Sequence, residues 1–210
     1  CDATQAVGKV PVDVGALGVD LLSMSGHKVY GPKGIGALYM RRRRPRLVPA
    51  PLLDGGGHEQ GWRSGTLNVP GIVGLARALE VALADLEAES RRLGALRDRL
   101  QAGITGRLDG VVVNGHPVER LPNTVSLSFA GVDGNALLVG LREVAVSSGS
   151  ACTSADPRPS HVLAAIGRPK ALAAATLRFS LGRGNTEAEV DAVVAAVARE
   201  VVRLRAGRPL

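Results

Sequence analysis

The apolar positions of the first forty residues come in short runs rather than helical stripes. Val19-Asp20-Leu21-Leu22-Ser23-Met24 leads into a polar turn, and Ile35-Gly36-Ala37-Leu38-Tyr39-Met40 leads out of it. Runs of this length, bounded by Gly and Pro, predict strands of a mixed and mostly buried sheet. Before them, Val7 to Leu17 carries Pro11 and two glycines and reads as a loop with at most a short helix. From Val69 to about Leu108 the spacing becomes helical. Leu75, Leu79, Leu83 and Leu86 recur at intervals of three and four, as do Leu93, Leu96 and Leu100. The pattern predicts one long helix with a domain boundary inside it, between Ala82 and Ser90, giving domains 1–85 and 86–210. Beyond it, Val111 to Val113 and Thr124 to Phe129 read as strands. Asn135 to Glu143 reads as a helix behind an Asp133 N-cap, and Val144 to Val146 as a short strand. A helix over Ser160 to Ile166, a strand over Thr176 to Leu181 and a helix over Glu187 to Arg205, capped by Thr186, complete the pattern. The chain is therefore expected to be α/β, with a compact α+β second domain.

Composition narrows the class. The 210 residues are 45% hydrophobic and 21% charged, the balance of a globular protein. No apolar run reaches the ~18 residues of a membrane span, so no membrane partner is expected. The formal net charge of +7 invites a nucleic-acid reading, but aromatics make up only 2%, too few for a base-stacking platform. The basic run Arg41-Arg42-Arg43-Arg44-Pro45-Arg46 reads better as a solvated or interface patch, and no direct nucleic-acid partner is expected. Cys1 and Cys152 fit no zinc spacing, and with no secretory leader in the sequence a reducing, cytoplasmic setting is expected.

Chemistry concentrates in a few stretches. The turn Ser25-Gly26-His27-Lys28-Val29-Tyr30-Gly31-Pro32-Lys33-Gly34 holds two of only four lysines in the chain. Glycine and proline let a backbone bend sharply and approach a ligand, and a lysine amine is a nucleophile toward carbonyls. Alone, Ser-Gly-His-Lys is also what a solvated loop looks like. Gly55-Gly56-Gly57-His58-Glu59 and Arg63-Ser64-Gly65-Thr66 suit close approach to an anion, and Trp62 between them argues for a packed loop. Cys152 is flanked by Ser148, Gly149, Ser150, Thr153 and Ser154, an accessible setting for a thiol rather than an apolar one. Arg178 lies among apolar strand residues and needs an anion, either a structural carboxylate or a bound one.

Taken in order, these stretches resemble a family. Cys1-Asp2-Ala3-Thr4-Gln5-Ala6-Val7-Gly8-Lys9, the turn from Ser25 to Gly36, Gly55 to Glu59, Arg63 to Thr66, Ser147-Ser148-Gly149-Ser150-Ala151-Cys152-Thr153-Ser154 and Arg178-Phe179-Ser180-Leu181-Gly182-Arg183 are similar to the cysteine desulfurases that depend on pyridoxal 5'-phosphate (PLP). The long cysteine loop resembles the group that serves iron–sulfur cluster assembly and tRNA thiolation. The resemblance implies the fold-type I, aminotransferase-like architecture, here a partial large domain followed by the small C-terminal domain, normally in a homodimer. It implies that Lys28 carries PLP, that Asp2 pairs with the pyridinium nitrogen, and that Gln5 bonds the phenolic oxygen. Ser25 and His27 would hold the phosphate, and Thr66 would reach the phosphate of the other subunit's PLP. Arg178 would bind the carboxylate of the L-cysteine substrate. Cys152 would take its sulfur as a persulfide, leaving L-alanine, and pass it to an acceptor such as an iron–sulfur scaffold or a tRNA-thiolation protein. No metal site is expected within the chain, although Cys152 could share an iron–sulfur cluster with an acceptor.

In the family a long segment precedes the aspartate and supplies a histidine stacked on the cofactor ring. His27, His58, His116 and His161 do not stand in that context, so this sequence is expected to be a piece of a longer protein. The alternatives are a truncated, non-catalytic scaffold or dimerisation fragment, and a selenocysteine lyase or sulfinate-type relative. The long cysteine loop disfavours the last two.

Overall fold

The computed structural model describes residues 1–45, 47–149 and 160–207. The chain divides into two units, Cys1–Ala88 and Glu89–Leu210.

In the first unit, β1 (Leu21–Ser25) and β2 (Gly36–Met40) pair antiparallel, from Leu21 opposite Met40 to Ser25 opposite Gly36. On its other side β1 meets the start of the chain in parallel. The Ala3 N–H donates to Ser23 O at 2.9 Å and the Ser23 N–H to Cys1 O at 3.0 Å. Helix α1 (Val69–Ala84) starts at Asn68, whose side chain accepts from the Gly71 N–H at 3.1 Å. It packs Leu75 and Ala82 against Val29, Met24 and Ile35. The strands are less buried than their runs predict. Leu38 lies opposite Ser23, on the face away from Met24 and α1, and is 58% exposed. Cys1 is exposed, its backbone O accepting from the Ser23 N–H of β1.

The long helix expected from Val69 to Leu108 is two, α1 and α2 (Leu86–Thr105). Asp85 separates them with φ −115° and ψ 18°, its N–H bonded to Leu83 O. Leucine spacing runs through the break and carries no sign of it.

In the second unit, β3 (Val111–Asn114), β4 (Thr124–Phe129) and β5 (Thr176–Ser180) form an antiparallel sheet in the order β3-β4-β5. Alternation gives the sheet two faces. Val125, Leu127, Phe129, Leu177 and Phe179 join the buried core with Leu96, Leu100 and Ile104 of α2 and with Val190, Val194, Val197 and Val201 of α6 (Glu187–Ala206). Ser126, Ser128, Thr176 and Arg178 take the other face. Helix α3 (Gly134–Gly140) starts at Asp133, whose side chain accepts from the Ala136 N–H at 2.8 Å. It stops three residues short of the predicted end at Glu143. Its last residue lies so close to α6 that a Cβ on Gly140 would stand 1.9 Å from Glu200 Oε1. Two short helices, α4 (His161–Ala165) and α5 (Lys170–Ala174), precede β5. The pattern gave no sign of α5, because five residues are too few to show a period. Val144 to Val146 is not a strand. Pairing begins only at Ser147, and the valines instead pack their side chains on the core.

The acid limit of stability follows from this unit. The Thr186 N–H and the Asn185 side chain hold the Glu189 carboxyl below the usual range. Arg99 does the same for Asp191, and Arg203 for Glu200. A carboxyl whose folded pKa is depressed stabilises the fold above its unfolded pKa, and that stability is lost as pH falls through the folded value. The melting temperature is therefore expected to be flat from pH 6 to 8 and to fall below about pH 4.5. Thermal unfolding followed by circular dichroism checks this, and an undiminished melting temperature at about pH 3 contradicts it.

Candidate active site

The turn after β1 is built around one anchor. Val29 is 1% exposed and sits in the small core of the first unit against Leu75 and Ala82. Backbone bonds close the turn around it. The Gly26 N–H donates to Ile35 O at 2.9 Å, while Gly26 O accepts from the Val29 N–H at 3.0 Å and the Gly31 N–H at 2.9 Å. A Cβ on Gly26 would meet the Pro32 and Ile35 carbonyl oxygens at 3.1 and 3.2 Å, so glycine is what lets the turn close. Gly8 matters equally. Its φ is +72°, and a Cβ there would stand 2.6 Å from Val29 Cγ2. Tyr30 adopts φ 64°, a left-handed conformation uncommon outside glycine, with Lys9 Nζ 4.9 Å from its ring centroid.

The pinned backbone presents polar groups outward. Gly26–Lys28 is a single 3₁₀ turn with His27 and Lys28 exposed. Ser25 Oγ lies 2.8 Å from His27 Nδ1. Asp2 is bridged to Ser23, two residues before Ser25 along β1. The Thr4 hydroxyl and the Thr4 N–H, which donates to Oδ1 at 2.9 Å, hold the Asp2 carboxyl below the usual carboxylate range. Asp2, Ser25, His27 and Lys28 are thus gathered around β1 and its turn. Gln5 stands exposed in the turn that follows Asp2. Thr66 lies outside this group, exposed after the glycine-rich loop, where Arg63 Nη1 donates to Gly65 O at 2.8 Å. Lys33 is exposed beyond Pro32.

Arg178 belongs to the second unit. Its backbone exchanges both bonds with Ser147: its N–H donates to Ser147 O at 2.7 Å, and the Ser147 N–H donates to Arg178 O at 3.3 Å. Its Nε is buried and has no hydrogen-bond partner among the described residues. A buried guanidinium nitrogen without an acceptor is what an anion-binding residue looks like before its ligand arrives. Cys152 lies outside the described residues. Its segment follows directly from Ser147, Ser148 and Gly149. Sequence reasoning did not single out the side chains beside Arg178, namely Asn114, Ser126, Ser128 and Thr176. For Ser126 and Ser128 the alternation Thr124-Val125-Ser126-Leu127-Ser128-Phe129 marks a polar strand face, but not which neighbours it meets. A cavity of about 580 Å³ in this unit is lined by Leu100, Val146, Phe179, Leu181, Val190 and Val193. Arg178 is not among the residues that line it.

Residues 1–193 match the family described as aminotransferase class-V. The cysteine desulfurase IscS of Anaeromyxobacter dehalogenans is 52% identical over 210 residues, which is 100% of this chain and 52% of that protein. The chain thus spans about half the length of the curated relatives it matches. A NifS-like protein from Rickettsia africae superposes with a TM-score of 0.83 at 30% identity, over 95% of this chain and 52% of that one. A structure described as SspA in complex with cysteine superposes with a TM-score of 0.65 at 38% identity, over 86% of this chain and 49% of that one.

Proposed function

This chain belongs to the aminotransferase class-V family, and on that premise we propose that it is the lysine- and cysteine-bearing part of a PLP-dependent cysteine desulfurase. The reaction converts L-cysteine to L-alanine and leaves the sulfur on Cys152 as a persulfide. The observation that carries the reading is the Val29-anchored turn. It holds Lys28 exposed beside the Ser25–His27 hydrogen bond, next to a strand paired with Asp2. These groups fit PLP chemically. Lysine supplies the amine that an aldehyde needs, serine and histidine suit a phosphate, and an Asp2 held ionised by Thr4 suits a pyridinium N–H. When bound, PLP acts as an electron sink for the carbon skeleton of the amino acid.

The protein's own residues do the rest. Arg178, whose buried Nε has no partner among the described residues, clamps the substrate carboxylate and fixes its orientation. The Cys152 thiolate attacks the substrate sulfur; the carbon–sulfur bond breaks, a proton is delivered to that carbon, and alanine leaves. The Ser147 backbone ties the start of the cysteine segment to Arg178. Residues 1–85 form part of the cofactor-binding domain and residues 86–210 the cysteine-bearing one. Gln5 would bond the ring's phenolic oxygen, and Thr66 would hold the phosphate of a second subunit's PLP in a homodimer. The sulfur goes to an iron–sulfur scaffold or a tRNA-thiolation protein. Support for the substrate comes from the cysteine desulfurase relatives and from the neighbour described in complex with cysteine.

The test is a single-turnover reaction of the full-length, PLP-loaded protein with L-cysteine. One alanine is expected per sulfane sulfur on the protein. Bound PLP with no alanine would instead identify the non-catalytic scaffold.

A further inference from the structure

The polar face of the β3–β4–β5 sheet carries a hydrogen-bond chain that the proposed reaction has not used. Arg168, between α4 and α5, donates from Nε to Asn114 Oδ1 at 2.7 Å and from Nη2 to Val113 O at 3.0 Å. That contact turns the amide oxygen of Asn114 toward Arg168 and its NH₂ across the sheet. The NH₂ donates to Ser128 Oγ at 2.9 Å and to Ser126 Oγ at 3.2 Å. Both amide hydrogens are then committed. Along the first branch the direction is fixed to the end. Thr176 Oγ1 donates to Leu172 O at 2.8 Å, so the Ser128 hydroxyl donates to Thr176 Oγ1 across 2.7 Å. The second branch stops at Ser126. This hydroxyl accepts from Asn114, and among the described residues its own hydrogen has no acceptor.

Ser126 stands beside Arg178, its partner in the β4–β5 register. The N–H and C=O of Arg178 both turn to Ser147, away from β4. The Ser126–Arg178 pair is therefore of the non-hydrogen-bonded kind, in which Cα atoms approach to about 4.5 Å and side chains lie closest. Arginine can only donate, and its buried Nε has no partner among the described residues. Two adjacent donors without an acceptor call for one shared anion.

We propose that Ser126 is a second substrate-binding residue, a hydroxyl donor to the same amino-acid carboxylate that Arg178 clamps. Asn114 and Arg168 are its positioning residues. By occupying one lone pair of Ser126 Oγ, the Asn114 amide turns the hydroxyl hydrogen away from β3 and toward Arg178. The proposal rests on the reading of Arg178 as the carboxylate residue and adds to it.

The test is equilibrium binding of L-alanine, an amino acid with the carboxylate and no thiol, to the full-length PLP-loaded protein by calorimetry. Ser126→Ala is expected to raise Kd about tenfold, the scale of one hydrogen bond to a charged group. Ser126→Thr, which keeps the hydroxyl, is expected to restore most of the binding. With L-cysteine the same loss should appear in KM, with kcat within about twofold, since the bond is made in the ground state and the transition state alike. Arg178→Lys is measured in parallel. If it weakens alanine binding while Ser126→Ala does not, Ser126 is no ligand and the proposal is overturned while the role of Arg178 stands. If Arg178→Lys leaves binding intact, the carboxylate reading falls and takes this proposal with it.

Discussion

Cys152→Ser in the full-length protein is expected to reduce alanine release from L-cysteine by about a thousandfold or more, while leaving PLP bound. Sulfur transfer needs a thiolate that attacks another sulfur and then carries it. A serine hydroxyl is almost never ionised at neutral pH and cannot hold a sulfane sulfur. The exchange is nearly isosteric, so the loss belongs to the chemistry rather than to the fold. The residues proposed to hold PLP lie in the first unit, whereas the cysteine segment belongs to the second. Cys152 is five residues past Ser147, and five residues extend to about 17 Å at most. The sequence thus places the thiol a short way along the chain from Ser147, whose backbone is paired with Arg178. Cys1 is the control. It is exposed, and its backbone O accepts from the Ser23 N–H, a bond that serine preserves. Cys1→Ser is expected to keep full turnover. Alanine and protein-bound sulfane sulfur, measured beside the cofactor absorbance, decide the matter. Retained turnover in Cys152→Ser, or lost turnover in a well-folded Cys1→Ser, means the wrong thiol was chosen.

Features carried by local chemistry were legible in the sequence. Thr186 caps α6 through a full capping box, with Glu189 reaching back to the Thr186 N–H at 2.9 Å. Asp133 caps α3 as its position suggested. Features set by contact between distant elements were not. The close approach of Gly140 to Glu200 is one, and nothing near residue 140 in sequence reports it. The break at Asp85 is invisible to a leucine count that runs through it. In the candidate site the same division holds. Lys28 and its turn stood out as a cluster of rare residues. Asn114, Ser126 and Arg168 did not, because their partnership spans more than fifty residues and exists only once the sheet is in register. A serine in a strand looks ordinary until its neighbours have used every other acceptor.

Lys28→Ala is expected to abolish covalent attachment of PLP to the full-length protein, and Lys33→Ala to leave it intact. Both lysines lie in one turn, and the resemblance assigns the cofactor to Lys28. The structure separates them by what holds the backbone. Lys28 is followed immediately by the buried Val29, and the Gly26 carbonyl closes bonds to the Val29 and Gly31 N–H groups around it. Its Cα is therefore fixed relative to β1, to the Ser25–His27 pair and to the strand that pairs with Asp2. Lys33 follows Pro32 and precedes Gly34, which has φ +77° and nothing within 4 Å of where a Cβ would be. An amine on that open stretch would lose more conformational freedom on joining a fixed cofactor than one already held by its neighbour. Borohydride reduction followed by peptide mapping places the label. It is expected on the peptide containing Lys28, to disappear in Lys28→Ala, and to persist in Lys33→Ala. Val29→Ala should weaken attachment without removing the amine, because the anchor rather than the nucleophile is lost, at a cost to the fold of about 1–3 kcal/mol. Label on Lys33 in the unsubstituted protein would show that the anchored turn does not select the lysine.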